Sequence, residues 1–200
     1  MPYRQAKILS SSQIKGILHY LETTRYPIRN KVIFLLSVKA GLRASEMADL
    51  SWNMVLDENG DIRDDIYYKD PTGKNSRSIP INKKLKIALL ELKGFMTEES
   101  FSGKKFPKLS DFIIRSERDM KMVPHSLVLW FGTLYRKLGF EGFSSHSGRR
   151  TFITNCAKNI LKAGGSLKDV QELAGHQSLQ MTQSYLLEEL GAKKRVIEML

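Results

Sequence analysis

Two arginines, two histidines, a lysine and a tyrosine are spread along this 200-residue sequence in the order Arg43, Lys74, His146, Arg149, His176 and Tyr185. They occur in the stretches Gly-Leu-Arg-Ala-Ser-Glu at 41–46, Ser-His-Ser-Gly-Arg-Arg-Thr at 145–151 and Ala-Gly-His at 174–176, with Tyr185 nine residues after the last histidine. Together these residue types can break a phosphodiester without a metal. A guanidinium offers two parallel hydrogen bonds to a pair of non-bridging oxygens and stays charged at any working pH. An imidazole donates to the same oxygens or accepts a proton. An ammonium protonates the leaving oxygen, and a phenol attacks phosphorus. The phenol has an unperturbed pKa of about 10, so neighbouring cations must favour its phenolate.

Each residue alone has a plainer reading. Arg43 could be a helix-end arginine paired with Glu46, and His146 with Arg149, three apart, a solvated basic face. His176 after Gly175 fits a helix cap, and Tyr185 fits a core tyrosine. The joint order makes chance a poor account. Arg150 fits a backbone phosphate contact or a structural ion pair better than a catalytic role. Other chemistries lack their parts: the sequence has no Gly-x-Ser-x-Gly, no P-loop and no His-Glu-x-x-His. One cysteine, Cys156, cannot build a thiolate cage or an internal disulfide, and it fits a small buried side chain. His19 and His125 have no partner at metal spacing, so neither a metal nor another cofactor is expected.

Elements of identifiable kind must hold these groups. Ser12 is placed to cap a helix with Ile14, Ile17, Leu18 and Leu21 on one face. Pro27 opens a second helix, apolar nearly all round through Val32-Ile33-Phe34-Leu35-Leu36, which stops at Gly41 in the left-handed position. Arg43 then projects from a helix junction, and a short helix runs through Glu46, Met47 and Leu50. Val55-Leu56, Asp61-Ile62, Ile66–Tyr68 and Arg77–Ile81 read as β pieces separated by turns at Asn59-Gly60 and Pro71-Thr72-Gly73, a small antiparallel sheet of three strands. Asn82 caps a helix carrying Leu85, Ala88, Leu89 and Leu92. A Gly/Ser/Lys-rich loop over 97–111 and a short extended Phe112-Ile113-Ile114 follow. Four helices are expected near 125–138, 147–162, 166–174 and 179–187, the third capped by Ser166 with Asp169. The fold class is therefore mainly α with a small antiparallel three-stranded β-sheet.

Composition narrows the partner. Lys+Arg number 32 against 21 Asp+Glu, a net charge of +11 on a chain that is 42% hydrophobic. An excess of that size favours a polyanion, because each neutralised phosphate releases condensed counterions. No stretch reads as a signal peptide or a membrane span, and no repeat is evident. The lone cysteine fits a reducing cytoplasm.

From about residue 10 to the end the chain resembles the tyrosine recombinase (phage integrase) family, on the motifs quoted above. The resemblance implies a catalytic domain that cleaves and rejoins double-stranded DNA in site-specific recombination, through a 3′-phosphotyrosine at Tyr185, without metal or ATP. It gives His146 the base role, His176 transition-state support and Glu46 the holding of Arg43. Family members carry the general-acid lysine on a β-hairpin before a strand of the form Arg-x-Ile/Val-Pro, here Arg77-Ser78-Ile79-Pro80. The position expected for that lysine holds Thr72, so Lys74 is the candidate and Lys69 the fallback. The resemblance further implies a tetramer on DNA, accessory DNA-bending proteins as further partners, and a cytoplasmic, nucleoid-associated setting. Residues 1–11 read as a basic arm or linker remnant. Residues 12–200 read as the catalytic domain with no N-terminal core-binding domain, either a trimmed piece or a natural short recombinase, and Met1 favours the second. The apolar spacing of Val196, Ile197 and Leu200 fits a tail packed on its own domain or on a neighbouring protomer. Two rivals stand beside this reading: a type IB topoisomerase, and a non-catalytic DNA-binding regulator motivated by Thr72.

Overall fold

The computed structural model describes residues 5–73, 76–99, 109–118 and 121–187. The expected Lys74 and the tail from 192 to 200 lie outside them. Helix α1 spans Ser11–Glu22, and its cap is Ser10 rather than Ser12. Of the serines at 10, 11 and 12, only Ser10 lies three residues before Gln13. The Gln13 amide donates to the Ser10 hydroxyl at 3.2 Å, and the Ser10 amide donates back to Gln13 Oε1 at 2.9 Å. That reciprocal pair satisfies two otherwise orphaned donors and fixes the start.

Helix α2, Pro27–Ala40, is the central post. Its run from Val32 to Val38 is buried on every side, packed by α1, by α4 (Lys83–Glu99) and by α6 (Ser147–Asn159). It ends at Gly41 with φ 65°, and a Cβ there would sit 2.4 Å from Phe152 Cδ1 of α6. Only glycine meets both the left-handed backbone and the close approach. Helix α3, Ala44–Asp49, follows directly, so Arg43 sits at its N-cap on the junction of two rigid helices.

Among the described residues the sheet has two strands, where the sequence pattern suggested three. Strand β1 (Asp65–Lys69) pairs antiparallel with β2 (Ser76–Pro80), with Tyr68 opposite Arg77 and Lys69 opposite Ser76. The would-be third strand makes a single bridge, Leu56 with Ile62. A 3₁₀ turn at Trp52–Met54 bends the chain just before it. Side chains then intercept the backbone: Asp57 Oδ1 accepts from the amides of Asn59 and Asp61, and Arg63 Nε donates to Leu56 O at 2.6 Å. Helix α4 begins where Asn82 accepts from the Lys84 amide, and it runs to Glu99, so residues 97–99 are helical rather than loop.

Helix α5 (Pro124–Lys137) buries Leu127, Phe131, Leu134 and Tyr135 in the main core. Helix α6 crosses α2 at Gly148, where a Cβ would lie 2.2 Å from Ser37 Oγ. Helices α7 (Leu167–Ala174) and α8 (Leu179–Leu187) close the domain over a separate small cluster of Ile153, Ala157, Val170 and Ala174. Cys156 and Tyr185 pack against that cluster, and burial pushes the Cys156 thiol pKa up. The expected capping pair at the start of α7 is present, with the Ser166 amide donating to Asp169 Oδ2 at 2.6 Å. No helix among the described residues is long and apolar enough to cross a membrane.

Candidate active site

A single buried carboxylate organises the cations. Glu46, on the first turn of α3, is 6% exposed. Its Oε1 accepts from Arg43 Nη1 and from Arg77 Nη1, each at 2.8 Å. Its Oε2 accepts from the Arg43 amide at 2.7 Å and from Arg77 Nη2 at 2.9 Å, and lies 3.9 Å from Arg149 Nη1. Burial opposes ionisation of Glu46, but the hydrogen bonds and charges of Arg77 and Arg43 outweigh it and bring its pKa down to about 2. Three guanidinium groups thus face one negative charge, leaving a local excess of positive charge ready for an oxyanion.

Arg149 belongs to the same group by its long reach. From the third position of α6 it donates through Nη1 to Gly41 O and through Nη2 to Ala174 O, both at 2.6 Å. Those carbonyls lie at the C-terminal ends of α2 and α7, where helix dipoles are negative. Burial, followed by repulsion from Arg43, lowers the Arg149 pKa to about 10, so it remains charged near neutrality. Guanidinium carries five N–H groups, so further donors remain beyond these two bonds.

His176 follows the left-handed cap Gly175 of α7 and is 6% exposed. Its Nδ1 is 3.0 Å from Thr182 Oγ1, and its backbone oxygen accepts from Gln171 Nε2. Burial, then the charges of Arg149, Arg43 and Arg77, hold its pKa at about 4, so the ring is neutral at pH 7. The Tyr185 ring stacks on it, with centroids 5.5 Å apart and planes 20° apart. Arg43, Arg149, His176 and Tyr185 are therefore one assembly, although the last lies 142 positions after the first.

Two expected members stand differently. His146 is the exposed N-cap of α6, one turn from Arg149, and its amide donates to Ser144 Oγ at 3.3 Å. Lys69 lies on the exposed face of β1, opposite in alternation to buried Tyr68, and its Cε folds towards the hairpin tip at Gly73. Arg150 donates to Ala6 O at 2.8 Å, while Leu9 N donates to Thr151 Oγ1, so both residues fasten the segment before α1. Sequence reasoning used Arg77 only as the first residue of a strand motif and passed over Thr182. The signal for Arg77 was available: period-two alternation puts it on the inward face with buried Ile79, and an inward cation needs a partner. Nothing comparable marked Thr182.

The sequence pattern of the Phage integrase family matches residues 7–189. The chain belongs to that family. It is 29% identical over 198 residues to the tyrosine recombinase XerD of Rickettsia prowazekii (strain Madrid E), covering 89% of this chain and 58% of that protein. Tyrosine recombinase XerA of Pyrococcus horikoshii is 28% identical over 205 residues, covering 99% of this chain and 65% of that protein. The chain thus spans less than two thirds of the length of either relative. Among solved structures, XerA recombinase superposes with a TM-score of 0.68 at 21% identity, over 98% of this chain and 67% of that one. The Tn1549 transposon integrase in complex with a circular intermediate DNA gives 0.68 at 21% identity, over 92% and 62%. The fold is that of this family, as the motifs led one to expect.

Proposed function

We propose that the chain cleaves and rejoins DNA strands in site-specific recombination through a covalent phosphotyrosine. The observation that carries the reading is the stack of Tyr185 on His176, together with the convergence of Arg43 and Arg149 on Glu46. Arg43 and Arg149 clamp the non-bridging oxygens of the scissile phosphate. By comparison with other phosphoryl-transfer arginines, each contributes about 10³–10⁵ in rate. Tyr185 Oη attacks phosphorus and gives its proton to His146, while His176 donates a hydrogen bond to the phosphate. The bond from phosphorus to the 5′-oxygen breaks, and Lys74 protonates that oxygen. Lys69, exposed on β1, is the fallback for this step. The products are a 3′-phosphotyrosine and a 5′-hydroxyl, and attack by another strand's 5′-hydroxyl reverses the step without ATP or metal.

Residues 12–200 form the catalytic domain in this reading, and 1–11 the arm leading into it. The net charge of +11 and the relatives named as tyrosine recombinases support double-stranded DNA as substrate. A tetramer on paired DNA sites is the working assembly, with DNA-bending proteins as accessories. The test is covalent trapping on nicked half-sites drawn from sequence flanking the gene, without Mg²⁺, with wild type beside Tyr185→Phe. A denaturation-resistant adduct in wild type alone is the expected result. Salt-sensitive binding without an adduct overturns it in favour of a DNA-binding regulator. An adduct that persists in Tyr185→Phe means that another residue is the nucleophile.

A further inference from the structure

Arg77 is built firmly into this site and has no chemical role in the reading above. It stands on β2 directly opposite Tyr68 of β1, with its guanidinium 5.1 Å from the Tyr68 ring centre. Both terminal nitrogens bond Glu46, at 2.8 and 2.9 Å, and the side chain is 10% exposed. The same Nη1 also approaches the turn that carries His176: a Cβ on Gly175 would fall 2.8 Å from Arg77 Nη1 and 3.2 Å from Cζ. One planar group therefore meets the carboxylate under Arg43 and the cap before His176.

We infer that Arg77 is a positioning residue that sets the offset between the Arg43 guanidinium and the His176–Tyr185 pair, acting through Glu46 and Gly175. The inference rests on the phosphotyrosine reading above and adds to it a residue that touches neither phosphate nor nucleophile.

Two features distinguish this role from simple support of the fold. First, Arg77 Nε is buried and has no hydrogen-bond partner among the described residues. That unmet donor offsets part of the stability that the two bonds to Glu46 contribute, so support of the fold is an incomplete account of the side chain. Second, Arg77 dictates how Glu46 treats Arg43. With both Glu46 oxygens engaged by Arg77, the carboxylate plane is fixed, and the Arg43 side chain gives it one bond, from Nη1. Without Arg77, the carboxylate can rotate to chelate Arg43 through two guanidinium nitrogens, occupying donors needed for the phosphate. The Gly175 contact disappears in the same step, so the cap before His176 gains room to shift.

The test uses single-turnover adduct formation on nicked half-sites at saturating protein, with half-site binding and thermal melting measured separately. The proteins are wild type, Arg77→Met, Arg77→Lys, Glu46→Gln and the double variant Arg77→Met/Glu46→Gln. A misplacement of about 1 Å at a reacting centre lowers the rate about 10²-fold, so Arg77→Met should slow adduct formation by about that factor. Half-site affinity should stay within about threefold, because Arg77 does not reach the DNA phosphates in this arrangement. Arg77→Lys restores the charge without the bidentate fork and should recover part of the rate. The double variant should be no slower than its slower parent, because both changes interrupt one chain of contacts. An unchanged rate per folded molecule in Arg77→Met, with or without a lower melting temperature, overturns the inference. So do losses that multiply in the double variant. If Arg77→Met fails to fold, an Arg77→Lys rate equal to wild type overturns it as well. No adduct in wild type removes the phosphotyrosine reading and this inference with it. An adduct in wild type that Arg77 variants leave untouched removes this inference alone.

Discussion

Replacing Glu46 with Gln measures how much of the domain depends on one carboxylate. Burial works against the charged form of Glu46, yet Arg77 first and Arg43 next overcome it, taking the pKa from 4.5 to about 2. Because the folded-state value lies below the unfolded one, ionised Glu46 contributes stability that is fully present above pH 4.5 and is lost as the pH falls through about 2. At 1.36 kcal/mol per pKa unit, that contribution is about 3 kcal/mol near neutrality. The Glu46 side chain is 7% exposed, so screening by solvent takes little from it. A marginally stable domain has only about 5–15 kcal/mol in total, so the loss is readily measured. Urea titrations of wild type and Glu46→Gln over a pH series provide the assay. The expected gap is about 3 kcal/mol at neutral pH, narrowing by about 2 kcal/mol between about pH 4.5 and pH 2.5. A gap that stays constant with pH refutes the reasoning, since only ionisation of Glu46 distinguishes the two proteins in that window.

Two further expectations are open to direct measurement. The His176 ring should remain neutral from about pH 8 down to about pH 5, read from its NMR titration, with a midpoint near 4 set by burial and then by Arg149, Arg43 and Arg77. As the folded value lies below the unfolded one, protonation favours the unfolded chain, and this group removes stability as the pH drops from 6.5 through about 4; a midpoint at or above 6.5 contradicts the buried geometry. Gly148→Ala should destabilise the domain by about 1–3 kcal/mol, because its Cβ meets Ser37 Oγ at 2.2 Å and Ser37 Cβ at 2.8 Å in the α2–α6 crossing. Gly94→Ala in α4, with nothing within 4 Å, should instead stabilise by about 0.5–1 kcal/mol. Equal melting temperatures for the two variants would show that the crossing is looser than its distances state.

Where local chemistry dictates structure, the sequence was readable. Pro27 and Gly41 bracket α2, the Ser166–Asp169 pair starts α7, and the apolar run inside α2 marked the central post. The motif residues near Arg43, Arg149, His176 and Tyr185 led to a single assembly because each sits at a helix junction or on a rigid helix. The misreadings came where neighbours compete. Three consecutive serines offered three caps, and only the position of Gln13 selects Ser10. The third strand failed because the side chains of Asp57 and Arg63 took backbone partners that strand propensity assigns to a ladder. The shared use of Glu46 by Arg77 and Arg149 was not legible, since it joins residues 31 and 103 positions away that meet only in the folded chain.

The two hydrogen bonds from Arg149 to Gly41 O and Ala174 O bear on how such a domain can decay. A tyrosine on the last turns of α8, or an exposed histidine such as His146, can drift to another residue while the fold survives. Arg149 cannot, because removing it unties the ends of two helices and leaves the carbonyls there buried without donors. On the proposed phosphotyrosine reading, a descendant that kept only DNA binding would retain the buried arginine and lose Tyr185. This chain carries both Arg149 and Tyr185.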